Sequence, residues 1–584
     1  MRVLILLISI FLAGPLTAHA RVVSNVQVTP VTTGYEIEIE FLFPILYQSH
    51  TPSGAAQELR VQLRPSNFQQ LTSGQVEDLR ERITLAWDES TGIPLKEITM
   101  EGGEPERPQM VFHFTKEVDI TEVRNSDNLQ SLIVVVGTEV AAPPALPEGV
   151  RKRDVWKSHI YGTVSEFFYR DQTTPRGSQA KINRNEFVTN LDFNHRLRNS
   201  RFDIRSQLTG GFKNGLFARV DNDYVNNFST EVRHKESGWF GKIGRQFRAS
   251  GGTLDLFDGM HLAYDMAPKL TVNTVFGYPV LDTSVKEVDG SRTFQGVSFD
   301  FGTFREYLDF STYFMTQDNR GFVDRRAVGG EMRYYDNNKF INTVLDYDVF
   351  FNRVNIFYAS GWMSFTPETS MNLSYDYRNS PSLTTGNAVL GQPVGNLSEL
   401  SGLFSKSQIY QLAEDRTMVS KSLSGSVTHN LKKDVQLTGG LTVYEAEGTV
   451  TSGGVFGTDG TGVDLFYFTQ LITYNTFKKN DIVITGLNFD DTAFYYGYGL
   501  SLSDQFPVTV NVKLVPNFQL NYRDYKDNNN TRLGVRPGLR LDYRIKKWLR
   551  FESEVAAEWA YENTDGIRKR STKLYISVGF TITF

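Results

Sequence analysis

The 584-residue chain contains no cysteine. Disulfides therefore lend it nothing, and thiol-ligated metal sites are excluded. Long apolar runs are also missing: past the first twenty residues no stretch approaches the about 18 consecutive apolar positions a spanning helix needs. Leu-rich helical stretches nearly vanish after residue 150. Chemical signatures are sparse. His19, His50, His113, His159, His195, His234, His261 and His429 are scattered, with no HExxH and no pair at metal-ligand spacing. No G-x-S-x-G elbow occurs. Gly453-Gly454 lacks the Lys and Ser/Thr of a phosphate loop, and Asp490-Asp491 lacks the further carboxylates and glycine of a calcium loop. A Ser–His pair built from His159 or His195 and a distant serine stays open. The chain otherwise reads as a non-enzyme with no cofactor, no metal and no nucleic-acid partner.

What is abundant is aromatic and alternating. Phe 42 and Tyr 27 are high. A mean hydropathy of −0.32 suits a barrel, because only alternate residues of a barrel strand face lipid. Charge is split along the chain. Residues 21–150 hold nine Arg and Lys against nineteen Asp and Glu, whereas 151–584 carry a slight positive excess. Between them runs Ala141-Ala142-Pro143-Pro144-Ala145-Leu146-Pro147, a stiff linker, then Arg151-Lys152-Arg153. This predicts an acidic domain over 21–140, a linker over 141–154 and a second domain over 155–584. Residues 1–20 have the basic start, apolar Val3–Leu12 run and Ala18-His19-Ala20 site of a secretory signal peptide.

In the last twelve residues, apolar side chains fall at Leu574, Ile576, Val578, Phe580, Ile582 and Phe584, with small or polar ones and Tyr575 between. This is a strand with one greasy face. It resembles the terminal targeting strand of bacterial outer-membrane β-barrels. The resemblance implies that barrel-assembly machinery reads Ile576, Val578, Phe580, Ile582 and Phe584.

The acidic domain reads as short strands: Glu36–Phe41, Leu59–Leu63, Val111–Phe114 and the buried-type run Leu132–Val136, with one helical stretch over Gln75–Glu81. A strand, a corner and a second hydrophobic strand occur twice, at 35–64 and 110–136. It resembles the AMIN-type periplasmic sandwich of cell-wall amidases and secretins, which implies peptidoglycan or a periplasmic protein complex as partner.

From Val155 onward, strands of nine to sixteen residues alternate with polar turns. Val508, Val510, Val512, Leu514, Phe518, Leu520 and Tyr522 share one face; Thr509, Asn511, Lys513, Asn517, Gln519, Asn521 and Arg523 share the other. Pro516 predicts a bulge or a local distortion there. The fold class expected is all-β: a large antiparallel transmembrane barrel of about 22 strands (range 18–24) in outer-membrane lipid, preceded by a small β-sandwich. Short turns such as 545–547, 504–507, 477–480 and 430–433 belong to the periplasm; loops 171–183, 281–291, 381–416 and 449–462 belong outside. Arg532, Arg536, Arg540 and Arg544 form a ladder on one inward face. Arg550, Glu552, Glu554 and Glu558 face the same way on the next strand. A turn centred on Lys547 puts Arg540 beside Glu554 and Arg536 beside Glu558. With Lys513 and Arg523 these are the lumen-lining candidates, either as neutralising pairs or as a guide for an anionic solute.

Loop 381–416, with Leu400, Leu403, Phe404, Ile409, Tyr410 and Leu412 at helical spacing, is expected to constrict the mouth, cap it or move freely. The Gly-rich 449–462 reads as a flexible surface loop. The pattern Gly244-Arg245-Gln246, Gly251-Gly252, Phe257-Asp258-Gly259 resembles a GRQ…GG…FDG hairpin of proteobacterial outer-membrane barrels, some of which carry tetratricopeptide repeats and imply polysaccharide secretion. No such repeat lies between 140 and 155, and the glycines read as a tight external turn with Arg245 and Arg248 on opposite faces. Two functions follow. One is an outer-membrane channel or export conduit for hydrophilic solute or polymer, with a periplasmic partner-binding domain. The other is an envelope anchor in which the barrel fixes a peptidoglycan- or complex-binding sandwich. A plug is disfavoured, since the linker holds the acidic domain apart.

Overall fold

The computed structural model describes residues 22–31, 34–41, 45–65 (without 53), 79, 83–85, 94–101, 108–125, 131–137 and 156–584, the last with gaps of one to five residues in turns. The signal segment, the linker and all but Leu79 of the expected helix lie outside the described residues.

Among the described residues, eight strands precede the linker: β1 (Val23–Val31), β2 (Gly34–Phe41), β3 (Ile45–Thr51), β4 (Ala55–Pro65), β5 (Ile83–Leu85), β6 (Leu95–Glu101), β7 (Gln109–Asn125) and β8 (Ser131–Gly137). They join in the order β1-β2-β8-β7-β4-β3, with β6 also on β7 and β5 on β6. The long β7 serves both halves, its first part pairing β4 and β6 and its last part β8. Ile37, Ile39, Leu59, Leu63, Ile98, Phe112 and Val134 form a closed apolar core. Alternation explains this: β2 sends Ile37, Ile39 and Phe41 inward and Glu38 and Glu40 to its other face. That other face is also buried, with Glu38 6% and Glu40 1% exposed. His50 lies in β3.

Residues 157–584 form a closed antiparallel barrel of 22 strands. Each strand pairs with its neighbours in sequence. β9 (Lys157–Pro175) closes the ring on the final strand, Ile567–Thr583, from Ser571↔Pro175 to Thr583↔Thr163. Closure leaves no open edge, so every strand finds its hydrogen-bond partners on both sides, as lipid demands. Outward residues make an exposed apolar belt, including Phe228, Ile243, Phe276, Phe314, Leu345, Leu373, Leu487, Leu539, Val555 and Phe580. No helix is long and apolar enough to cross a membrane among the described residues.

Two expectations about the barrel strands need correction. The segment 171–183 is mostly strand, because β9 runs to Pro175 and β10 (Lys181–Arg198) starts at Lys181. Pro516 introduces no bulge: Pro516↔Leu539 sits in unbroken register. The irregularity falls on the facing side instead, where Tyr495–Asp504 stops and pairing resumes at Phe506. Having no N–H, Pro516 has nothing to donate across that gap.

Candidate functional site

The wall Thr531–Lys546 and Leu549–Thr564 carries the predicted ladder. Leu533, Leu539, Val555 and Trp559 are exposed on the outer face, so Arg532, Arg536, Arg540, Arg544, Glu552, Glu554 and Glu558 alternate onto the inner one. The register places Arg540 opposite Glu554, Asp542 opposite Glu552 and Arg532 opposite Glu562. Arg532 pairs diagonally with Glu558 at 2.9 Å and directly with Glu562 at 3.4 Å, and Arg536 pairs diagonally with Glu554 at 3.9 Å. Arg550 bridges Asp542 at 3.3 Å and Glu552 at 2.9 Å, and Arg540 reaches Asp542 at 3.1 Å. Lys513 faces Asp542 and Arg523 faces Arg532 across the next pairing, with Arg523 stacked 4.8 Å over Tyr495. Ile576, Val578, Phe580, Ile582 and Phe584 share the outer register of the last strand, and the Phe584 ring lies 6.4 Å from that of Phe193.

The GRQ…GG…FDG segment joins Trp239–Gln246 to Phe257–Ala267. Its glycines do not make an external turn. The connection folds inward and docks on the inner wall, where Tyr313 and Arg325 sit opposite the exposed Phe314 and Val328 face. The Gly251 N–H donates to Glu331 at 3.1 Å, and Arg325 donates to the Gly252 carbonyl at 3.1 Å. Arg248 donates to Ser298 at 3.0 Å and stands 3.7 Å from Asp300. A Cβ on Gly252, which has φ +75°, would lie 2.3 Å from the Tyr313 ring. Both glycines are therefore required by close approach and by the left-handed backbone. Beneath the loop, Arg325 pairs with Asp346, and the Tyr313 hydroxyl donates to Asp346 at 2.6 Å. Arg245 takes the other face, clamped on Asp258 by two 2.8 Å bonds.

At the long-loop rim, 381–416 is folded. Helices α1 (Leu397–Leu400) and α2 (Lys406–Asp415) pack Leu397, Leu400, Ile409 and Leu412 with Leu383 against Phe322 and Phe351. A Ser405–Gln408 capping box starts α2. The Gly386 N–H donates to Asp324 at 2.8 Å, and the Leu383 N–H to Asn355 at 2.9 Å. The segment 449–462 is more than a flexible surface loop. Thr449 and Thr458 bond backbone to backbone, and its carbonyls at Gly453 and Ser452 accept from Gln392 (3.0 Å) and Arg416 (2.9 Å).

At the opposite, short-turn rim sits the N-terminal sheet. It is not held apart. β10 and β11 (Phe202–Gly215) present Arg196, Arg198, Asp203 and Arg205 on their inner face. Arg196 contacts Glu38 at 3.2 Å, and also Glu40 and Asp203; Arg198 reaches Glu38 at 3.2 Å and also bonds Gln27; Arg205 stands 3.8 Å from Glu40. Tyr161 of β9 joins the sheet's apolar core. Burial alone would push the Glu38 carboxyl up, but Arg196 and Arg198 outweigh it and hold Glu38 below the usual range. None of these arginines was singled out from sequence; the alternating Glu36-Ile37-Glu38-Ile39-Glu40 was the available signal, an acidic face needing a basic one.

Ser158 Oγ and His195 Nε2 do meet, at 3.1 Å, exposed on the outer wall. No group of three or more His, Asp or Glu placed to hold a metal occurs among the described residues.

The chain is a closed β-barrel with an apolar outer belt. No protein-family model matches the chain, and no curated protein matches it. Among solved structures it is similar to Pseudomonas aeruginosa OccD3 (8% identity, TM-score 0.34, covering 73% of this chain and 91% of that one). Acinetobacter baumannii OccAB2 (10%, 0.34, 73% and 98%) and P. aeruginosa OprD (7%, 0.31, 72% and 95%) are similar to the same degree. In this closed barrel, charged side chains line the inside, one loop enters it, and folded segments occupy both rims.

Proposed function

We propose that the protein is an outer-membrane channel or export conduit for a hydrophilic solute or polymer, with its N-terminal domain in the periplasm and no catalytic role. The observation that carries this is the inner wall: a 22-strand ring is on the order of 40 Å across between backbones, and its inner face is lined by charged groups such as Arg532, Arg536, Glu554 and Glu558. An anchor alone has no use for a charged interior of that width. In this reading the Ile576–Phe584 face is the handle for barrel-assembly machinery. The outer face of the sheet would be the part that meets peptidoglycan or a periplasmic complex.

Single-channel recording in planar bilayers tests the proposal, with the full chain beside a chain lacking 21–150 and folding verified by heat-modifiable gel mobility. Current from at least one is expected. Silence from both, fully folded, would favour the envelope anchor.

A further inference from the structure

The contacts of the N-terminal sheet are widely separated around the ring. β2 is fixed to β10 and β11 through Glu38 and Glu40. β3 lies against the strands Phe322–Asp336 and Lys339–Asp348, eight places further round the 22-strand circle. A body touching the wall at points more than a third of the circumference apart lies across the opening.

We infer that the N-terminal sheet is a tethered stopper of the periplasmic mouth, and that its Glu38 and Glu40 carboxylates occupy an anion site on the barrel wall. This rests on the channel reading above. The site is built: the Arg196 and Arg205 side chains are 7% and 4% exposed, and those of Glu38 and Glu40 8% and 1%. Seated, the arginines at 196, 198 and 205 balance the carboxylates of Glu38, Glu40 and Asp203. Unseated, the wall keeps only Asp203, and Glu231 across from Arg205, against the three guanidiniums, so positive charge is in excess there. Such buried charges stay seated unless another anion replaces the carboxylates, because bare they are strongly disfavoured. The mouth thus opens onto a cationic patch suited to carboxylate- or phosphate-bearing solutes, and the sheet's own acidic strand stands in for them while it is shut.

The test uses the full chain, to which one cysteine is added as Gln27→Cys at the contact with Arg198. Maleimide labelling reports release, and bilayer recording reports opening. In E38Q/E40Q, labelling and open probability should both rise at least tenfold over the parent, with anions preferred. Arg196→Glu should raise both as well, without the anion preference since it removes one of the three guanidiniums, and adding Glu38→Arg to it should restore closure, which separates a lost latch from a misfolded sheet. Faster labelling with unchanged open probability would overturn the stopper while leaving the channel standing. Unchanged labelling would overturn the seat. Full release with no current from any variant would sink the channel reading and the stopper with it. If R198Q and R205Q, added to E38Q/E40Q, leave the reversal potential unmoved, the anion site is refuted.

Discussion

Asp346→Ala should be among the most damaging single changes in this barrel. The Arg325 and Asp346 side chains are each 1% exposed, roofed by the inward loop. Removing the carboxylate takes the paired counter-ion from a guanidinium held away from water and leaves the Tyr313 hydroxyl only the Leu345 carbonyl at 3.5 Å. Leaving one member of a buried pair uncompensated costs about 3–5 kcal/mol, and the weakened hydroxyl bond adds only part of the about 1–3 kcal/mol that a fully orphaned one would cost. Since about 1.4 kcal/mol is tenfold, even the first figure shifts the unfolding equilibrium by over a hundredfold. The cost arises from an unpaired charge, not from lost volume, so a second change should relieve it: Arg325→Met with Asp346→Leu should recover most of the loss. Urea unfolding in lipid vesicles, followed by tryptophan fluorescence, measures both. A loss below about 1 kcal/mol for Asp346→Ala, or a double variant no better than the single, would refute the reasoning.

Other outcomes follow from the same geometry. Gly252→Val puts a β-branched side chain at φ +75° against Tyr313, so the loop should leave the interior and single-channel conductance should rise; unchanged conductance would mean the loop does not constrict the path. Ile409→Ala, at 0% exposure in the cap's core, should cost about 2–5 kcal/mol locally. Proteolysis within 381–416 should then speed up while the barrel's own Tm holds. Arg532→Ala removes a part-exposed partner of Glu558, so stability should change by under about 1 kcal/mol while selectivity moves toward cations. The seat of the sheet should also respond to acid. Glu38, faced by Arg196, Arg198, Arg205, Glu40 and Asp203, is held below its ordinary 4.5, so its contribution is full above that value and is lost as pH falls through the lowered one. Labelling at Gln27→Cys should therefore stay flat as pH falls from 8 toward the ordinary 4.5 and accelerate only below it.

The strands were legible because period two is written in single residues. Even the pairing of Arg540 with Glu554 follows from one turn at Lys547. The ion pairs themselves were not, because an arginine reaches past its direct neighbour, as Arg532 does to Glu558. Loops resisted for a related reason. Whether Gly251-Gly252 turns outward or dives inward depends on Ser298, Arg325 and Glu331, which lie about 50 to 80 residues away in sequence. The Pro-rich linker suggested separation, yet a stiff tether does not oppose docking, and the alternating glutamates of β2 already implied a basic counterpart.

The location of the seat has a consequence for biogenesis. Tyr161, Arg196, Arg198 and Arg205 all belong to the first three strands of the ring, whereas the ring shuts only when Ile567–Thr583 meets β9. The acidic sheet and its berth are neighbours in the nascent chain, separated from the closing seam by more than three hundred residues of later strands. Short-range contacts form before long-range ones. The sheet is thus in position to be seated while the wall is still an open curl, so the vessel is corked from within before its last stave is set.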